Sequence, residues 1–378
     1  MKVAIITSRY PSKNNPYNHM FVHMRSIEMI KQGIDVTIFI PSNKNKDYEH
    51  ENVNVKMMSS SDIINNIKSF DILYLHLLNI YPFKNYNGWI IYKYILKTSK
   101  PFVMYVHGSE VQKYRARLFD FNFKIFDFLK WFKKDILVIP KMKQFVNKTK
   151  SLKNGAYLFP SNWMKDEMEL NLNTKINNFK IIPNGIDTDL FKFHKSFEKR
   201  YKLLTLRPLS SKKYAVDIAI NVIKFLPESF TLEIYGKGKY QNLYQNQINS
   251  LGLSNRIVIK NEFIDRSILN TFFSQFGVFL SPTRMDAQGV SMCEAMASGL
   301  LTVSNDNTAI PEFIENNSNG ILAETPQEIA KKIIEVTNSE NLFKKITNSG
   351  RISIENIDIK QTVNNEISFL KNILKNKM

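Results

Sequence analysis

The sequence predicts an α/β protein built from two doubly wound, Rossmann-like parallel-sheet domains that face each other across a cleft. Three observations lead to it. Short β-rich apolar runs alternate with longer helical patterns from one end to the other, the pattern that βαβ crossovers leave. A polar, basic stretch, FKFHKSFEKRY at 191–201, separates two such series. A length of 378 residues exceeds one ordinary core, and a composition 43% hydrophobic and 12% aromatic can fill two, which excludes wholesale disorder.

In the first series the strand candidates are KVAIIT (2–7), DVTIFI (35–40), DILYL (71–75), PFVMYV (101–106), ILVIP (136–140), AYLFP (156–160) and FKIIP (179–183). The second holds KLLTL (202–206), TLEIY (231–235), RIVIK (256–260), GVFLS (277–281) and LLTVS (300–304). Runs this apolar suit parallel strands covered on both faces by helices such as Met20–Lys31 and Ala215–Phe225. The expected division is 1–195, 196–357 and a basic terminal helix at 358–378, which need not belong to the second core and has a return to the first domain open to it.

The apolar run of MKVAIITSRYP is too short for an export core, and no run reaches the ~18 apolar residues that span a bilayer. The single cysteine, Cys293, has no internal partner, which fits a reducing compartment, and reads as a small buried residue without chemistry. A cytoplasmic protein is expected. Fifty-two basic against 34 acidic residues, a formal charge of +18, point to an anionic partner: nucleic acid, a membrane surface or a phosphorylated substrate.

The stretch SPTRMDAQGVSMCEAMASG (281–299) places Asp286 and Glu294 on either side of a strand-to-helix turn, where open α/β sheets bind ligands. A helix from Val290 would offer free amides and the positive end of its dipole to a phosphate, and Gly289 would let the backbone approach closely. Glu294, read as lying in the first helical turn, could accept hydrogen bonds from two sugar hydroxyls, and Asp286 could serve a second sugar. Simple helix capping and a solvated Asp286 are equally open on this stretch alone. LLTLRPLSSKK (203–213) then delivers Arg207, Lys212 and Lys213 from a strand end, cations able to neutralise a departing diphosphate without a metal.

With these residues in place the chain resembles the retaining glycosyltransferases of glycosyltransferase family 4 (group 1), which have the two-domain GT-B fold. Asp286-x7-Glu294 followed by EAMASG resembles the family's Glu-x7-Glu motif, and Arg207 with Lys213, or Lys212, its Arg…Lys pair. PNGID at 183–187 with Phe191, His107-Gly108, Pro311-Glu312 and Asn319-Gly320 follow the family's remaining signatures in order. The resemblance implies an N-terminal acceptor domain and a C-terminal nucleotide-sugar domain. Glu294 would bind ribose, Asp286 the donor sugar, and the amides of Gly289, Val290 and Ser291 the diphosphate. Arg207 and Lys213 would stabilise the leaving phosphate, and His107 would reach the reacting centre. Substitution would occur on one face of the sugar, with the departing phosphate oxygen taking the acceptor's proton.

Three departures stand out. Asp286 replaces the family's first Glu. Asn18 and His19, in NPYNHMF (15–21), replace the glycine pair of the first loop and so bear on the acceptor side. The glycine after the lysine is absent. His76 reads as structural. DTD at 187–189 matches the Asp-x-Asp of metal-dependent transferases but sits away from a helix start, so no metal and no cofactor are expected.

The segment QKYRARLFDFNFKIFDFLKWFKK (112–134) carries seven basic and eight aromatic residues. Wound as a helix, Phe121, Ile125, Phe128 and Phe132 share a face that can pack on the sheet, and Phe119, Phe123 and Phe126 lie on another. That second face is expected to meet an anionic membrane surface, the alternative being one helix, or two short ones, buried on both sides. The expected partners are a nucleotide sugar, a saccharide or lipid-linked saccharide acceptor and that membrane, with no nucleic acid. The expected activity is hexosyl transfer to a growing cell-surface polysaccharide or glycolipid by a peripheral protein on the inner face of the cytoplasmic membrane. Competing readings are a GT-B epimerase or phosphorylase, an inactive transferase-like subunit and a basic nucleic-acid-binding protein.

Overall fold

The apolar runs of the first half pair into an eight-stranded sheet. Its strands are β1 Lys2–Thr7, β2 Asp35–Pro41, β3 Lys46–His50, β4 Val53–Met58, β5 Ile72–His76, β6 Phe102–Tyr105, β7 Gly155–Phe159 and β8 Phe179–Ile181. They lie in the order β3-β4-β2-β1-β5-β6-β7-β8, and every pair is parallel except the β3–β4 hairpin. The second half forms β9 Lys202–Leu206, β10 Thr231–Tyr235, β11 Ile257–Lys260, β12 Val278–Leu280, β13 Leu301–Ser304 and β14 Ile321–Leu322, all parallel, in the order β11-β10-β9-β12-β13-β14. In each sheet the chain first builds outward on one side and then returns to build on the other. The reversal lies between β1 and β5 in one sheet and between β9 and β12 in the other. Crevices for ligands open at the carboxyl ends of such strands.

The protein, seen here as a computed structural model, is described over residues 1–82 and 84–375. Met1–Gly185 with the chain from Ile359 onward forms one unit, and Ile186–Asp358 the other. The expected boundary at 195/196 falls later than this division. Residues 186–195 are tied to the second unit: the Ile186 amide donates to the Ile357 carbonyl, that of His194 to the Ser298 carbonyl, and Arg351 Nη1 to the Phe191 carbonyl. The helix Ile359–Lys375 sets Val363, Ile367, Leu370 and Ile373 into the first unit's core beside Val3, Ile5 and Ile72. Residues 376–378 of the expected terminal helix lie outside the described residues.

One expected strand is overturned. ILVIP at 136–140 is helical, spanning a wide π turn at Phe132–Val138 and the start of the helix Ile139–Thr149. A short apolar run reads alike for both states. The period of the residues that follow decides: Val138, Ile139, Met142, Phe145 and Val146 are buried at helical spacing, and Pro140 falls in the first turn, where no intrahelical amide is needed. The hairpin strands β3 and β4 and the two-residue β14 were not expected. β3, KDYEH, carries polar residues on both faces of a sheet edge and gives no apolar signal. Among the described residues no helix is long and apolar enough to cross a membrane.

Candidate active site

In the second unit the turn between β12 and the helix Val290–Ala297 lies at the sheet's switch point, alongside the end of β9. Gly289 is its N-cap with φ of +77°, a conformation only glycine takes cheaply, and an added Cβ would press on Ile310 Cδ1 at 3.2 Å. The Asp286 carboxylate closes the turn, Oδ1 accepting from the amides of Gly289 at 2.9 Å and Gln288 at 3.3 Å. The amides of Val290 and Ser291 begin the helix and have no intrahelical acceptor. Around the turn Arg284 makes a two-pronged ion pair with Asp217, at 2.8 and 2.6 Å, and Thr283 donates to the Lys213 carbonyl at 3.0 Å. These contacts, which sequence reasoning missed, lock the 283–289 loop to the Lys212–Tyr214 turn.

Arg207 extends from the end of β9 and is 5% exposed. Its Nη1 donates to Asp286 Oδ2 at 3.2 Å, while the buried Nε and Nη2 have no partner among the described residues. Burial pushes the Asp286 carboxyl up. Arg207 and Lys213, with the amides of Gly289 and Gln288, more than offset it and hold the group below the usual carboxylate range. Lys213 sits over the Tyr214 ring at 4.5 Å and Lys212 over Tyr240 at 5.4 Å. The structure therefore gathers Arg207, Lys212, Lys213, Asp286, Gly289, Val290 and Ser291 around one helix start.

Glu294 requires a correction. It is the fifth residue of its helix rather than a member of the first turn, so the free amides and the dipole do not act on it as expected. Its partner is Arg266, whose Nη1 donates to Oε1 at 2.8 Å and whose guanidinium lies 5.1 Å over the Phe191 ring. Burial pushes the Glu294 carboxyl up, and Arg266 offsets this only in part. No spacing pattern pointed to Arg266, 28 residues upstream of Glu294. Phe191, the aromatic that follows PNGID, gains a physical role as the platform beneath that arginine. Asp187 of the DTD stretch caps the following turn, accepting from the Leu190 amide at 2.9 Å, and Asp189 pairs with Lys192 at 3.6 Å. Cys293 is buried and its thiol is pushed well up by burial, as a packing residue would be.

In the first unit the end of β6 delivers His107, whose amide donates to Glu110 Oε1 at 2.7 Å. Its Nε2 shares a proton with Nδ1 of His76, at the end of β5, at 3.0 Å, and its ring stacks on Tyr105 at 4.6 Å. His76, read as structural, is thus the direct partner of the expected site histidine. His19 stands at the N-cap of Met20–Lys31 in a left-handed conformation, bonded through Nδ1 to Thr7 Oγ1 at 3.0 Å. Phe21 bridges them, its ring 5.6 Å from that of His19 and 4.5 Å from that of His107. Asn18 precedes them in the half-buried turn. Burial, then the nearby Arg25, holds His76 and His107 well below the usual imidazole range, and burial with Arg9 takes His19 down to about 4. All three rings are neutral at pH 7, able both to donate and to accept a hydrogen bond.

A model of the family described as "Glycosyl transferases group 1" matches residues 187–353. The chain is 30% identical over 210 residues to the UDP-N-acetylglucosamine–peptide N-acetylglucosaminyltransferase GtfA subunit of Streptococcus agalactiae, covering 51% of this chain and 40% of that one. It is 25% identical over 184 residues to the amylovoran biosynthesis glycosyltransferase AmsK of Erwinia amylovora, 45% of each chain. Less than half the length of either relative is spanned. Anabaena Alr3699/HepE, solved with UDP and glucose, superimposes over 97% of this chain and 98% of its own with a TM-score of 0.72 at 14% identity, a likeness of fold. The second unit is a member of the glycosyl transferases group 1 family, and the chain has the GT-B fold.

Proposed function

We propose that the chain is a retaining, metal-independent hexosyltransferase of the family 4 type, moving a sugar from a UDP-sugar to a growing, lipid-linked cell-surface polysaccharide or glycolipid. The observation that carries this reading is Arg207: a buried guanidinium beside a helix start, with two nitrogens that have no protein partner among the described residues, supplies the donors that a phosphate takes. UDP as the nucleotide is supported by the UDP of the HepE complex and by the name of the GtfA relative, and a polysaccharide product by the amylovoran relative.

In this reading the diphosphate rests on the amides of Val290 and Ser291; the Gly289 amide, expected to join them, is taken by Asp286 Oδ1. The bond from the anomeric carbon to the phosphate oxygen breaks and its electron pair leaves with UDP, where Arg207 and Lys213 stabilise it. The acceptor oxygen bonds to the same face of the sugar, and its proton passes to the departing phosphate oxygen, so no separate base is required. Asp286, held ionised, faces the developing positive charge on the sugar. Glu294, oriented by Arg266, receives the ribose hydroxyls, while in the first unit neutral His107 is assigned to the reaction and Asn18 and His19 to the acceptor side.

A panel of nucleotide sugars tests the proposal by thermal shift and by turnover in EDTA. A UDP-hexose should raise Tm, since a ligand of the folded state stabilises it by mass action, and turnover should persist in EDTA. A panel with no shift would overturn the reading. Loss of turnover in EDTA, restored by Mg²⁺ or Mn²⁺, would transfer the charge neutralisation to a cation at 187–189. Glu294→Gln should weaken UDP-sugar binding about tenfold in calorimetry, because one acceptor oxygen becomes a donor facing Arg266 and the ribose. Unchanged affinity would remove Glu294 from the site.

The membrane partner is proposed on the 112–134 segment. It is two short helical pieces, at 114–120 and 125–131, broken by Phe123 with φ of +56°. Phe123 and Phe126 are 81% and 70% exposed, and Ile125, Phe128 and Phe132, expected to pack on the sheet, are exposed too. Phe119 is half-buried, and Lys134 donates to the Ser109 carbonyl at 2.6 Å, so neither is free to meet lipid as expected. Lys124→Gln/Lys130→Gln/Lys133→Gln should abolish the preference for anionic over neutral vesicles, each lysine adding ~1 kcal/mol of salt-screened attraction. Phe123→Ser/Phe126→Ser should reduce binding to both vesicle types without lowering Tm. Vesicle binding untouched by either variant would separate the segment from the membrane.

A further inference from the structure

A second cluster of ligating side chains stands at the opposite edge of the first sheet from β8, where the β3–β4 hairpin meets the helix Met20–Lys31. His23, fully buried on that helix, points Nε2 at Glu51 Oε2, 3.1 Å away, and the His50 ring lies 4.7 Å from the His23 ring. A ligand atom from each of His23, His50 and Glu51 lies within 4.8 Å of the other two. The His50 ring makes no hydrogen bond among the described residues. Glu51 and Asn52 form the hairpin's two-residue turn with φ of +47° and +63°. Asparagine tolerates that conformation, but glutamate gains nothing locally from it. Its effect is to bring the carboxylate back over His23.

We infer that His23, His50 and Glu51 bind a borderline divalent cation of the zinc class, which clasps the hairpin to the helix. Two imidazoles and one carboxylate suit such an ion far better than Mg²⁺ or Ca²⁺. Ligands about 2.0–2.1 Å from a tetrahedral metal stand roughly 3.3 Å apart. The His23–Glu51 pair already meets this, and His50, half-buried at the hairpin's end, closes on it by side-chain rotation. The outer support is present as well. Tyr10 Oη lies 2.8 Å from His23 Nδ1, so when Nε2 takes the metal, Nδ1–H donates to the phenol oxygen and fixes the ring. Tyr48 of β3 anchors the hairpin independently, donating to the Pro11 carbonyl at 3.0 Å. The fourth position faces out beside Glu51, which is 64% exposed, and is open to water. The clasp belongs to the first unit and does not depend on the proposed transfer reaction.

The test uses the full chain stripped with EDTA and titrated with Zn²⁺ in calorimetry and with Co²⁺ by visible absorption. One ion per chain should bind, with the intense d–d bands of a four-coordinate Co²⁺ site, and Zn²⁺ should raise Tm. His50→Ala removes a partly exposed ligand without opening the core. It should weaken Zn²⁺ binding at least tenfold and abolish the rise in Tm, with Glu51→Gln producing a smaller loss. Glu49→Gln, on an exposed neighbour in the same strand, should change neither. Absence of stoichiometric Zn²⁺ binding, or binding that His50→Ala leaves intact, would overturn the assignment.

Discussion

Arg207→Ala should lower kcat/KM by about a thousandfold, the ~4 kcal/mol expected when a buried donor to a developing anion is removed from a closed site. Arg207→Lys should recover little of this. A lysine keeps the charge but not the fork that serves Asp286 with one nitrogen and leaves two others for the phosphate. The pH dependence provides a second readout. Arg207 is the largest of the influences that draw the Asp286 carboxyl down against burial, so without it the carboxyl moves up. The acid limb of the rate profile should therefore shift to higher pH in Arg207→Ala. Asp286 retains Lys213 and two amides, so the fold should survive. A fall in kcat/KM of less than tenfold would mean that Arg207 merely holds the turn.

Glu366→Leu should destabilise the first unit by about 3–5 kcal/mol, the cost of leaving a buried cation without its counterion. Arg25 is fully enclosed and directs Nε and Nη2 at the Glu366 carboxylate at 3.0–3.3 Å, stacks over the Tyr105 ring at 4.2 Å and donates to Asn184 at 3.3 Å. Tyr74 Oη also donates to Glu366, at 2.8 Å. The double variant Arg25→Met/Glu366→Leu should regain part of the loss, because an apolar pair of similar volume needs no counterion, while the buried Tyr74 hydroxyl loses its acceptor. All three tryptophans, Trp89, Trp131 and Trp163, lie in the first unit, so urea unfolding followed by their fluorescence reports on it alone. A single variant within about 1 kcal/mol of the parent would show that water reaches Arg25. Since Arg25 lies beneath Tyr105, on which His107 stacks, the double variant also tests whether this charge pair supports the histidine's neutral state.

What the sequence determined by itself is whatever a local pattern encodes. Alternating apolar runs specify two wound sheets, because a parallel strand buried on both faces can be little else. Gly289 before an apolar helix, and Arg207 at the end of a β-rich run, mark the switch-point turn for the same reason: strand ends and helix starts are local events. Periodicity fails where it is ambiguous or weak. ILVIP is equally apolar as strand or helix, and only the helical burial of the residues that continue it, Met142, Phe145 and Val146, settles it. The polar β3 strand carries no signal, since an edge is paired on one side and wet on the other. Tertiary structure alone decided which charges meet. Arg266 reaches Glu294 across 28 residues and Arg25 reaches Glu366 across 341. Such partners are fixed by strand order and by the return of the terminal helix, and a buried charge constrains only that a counter-charge exists, not where in the chain it lies.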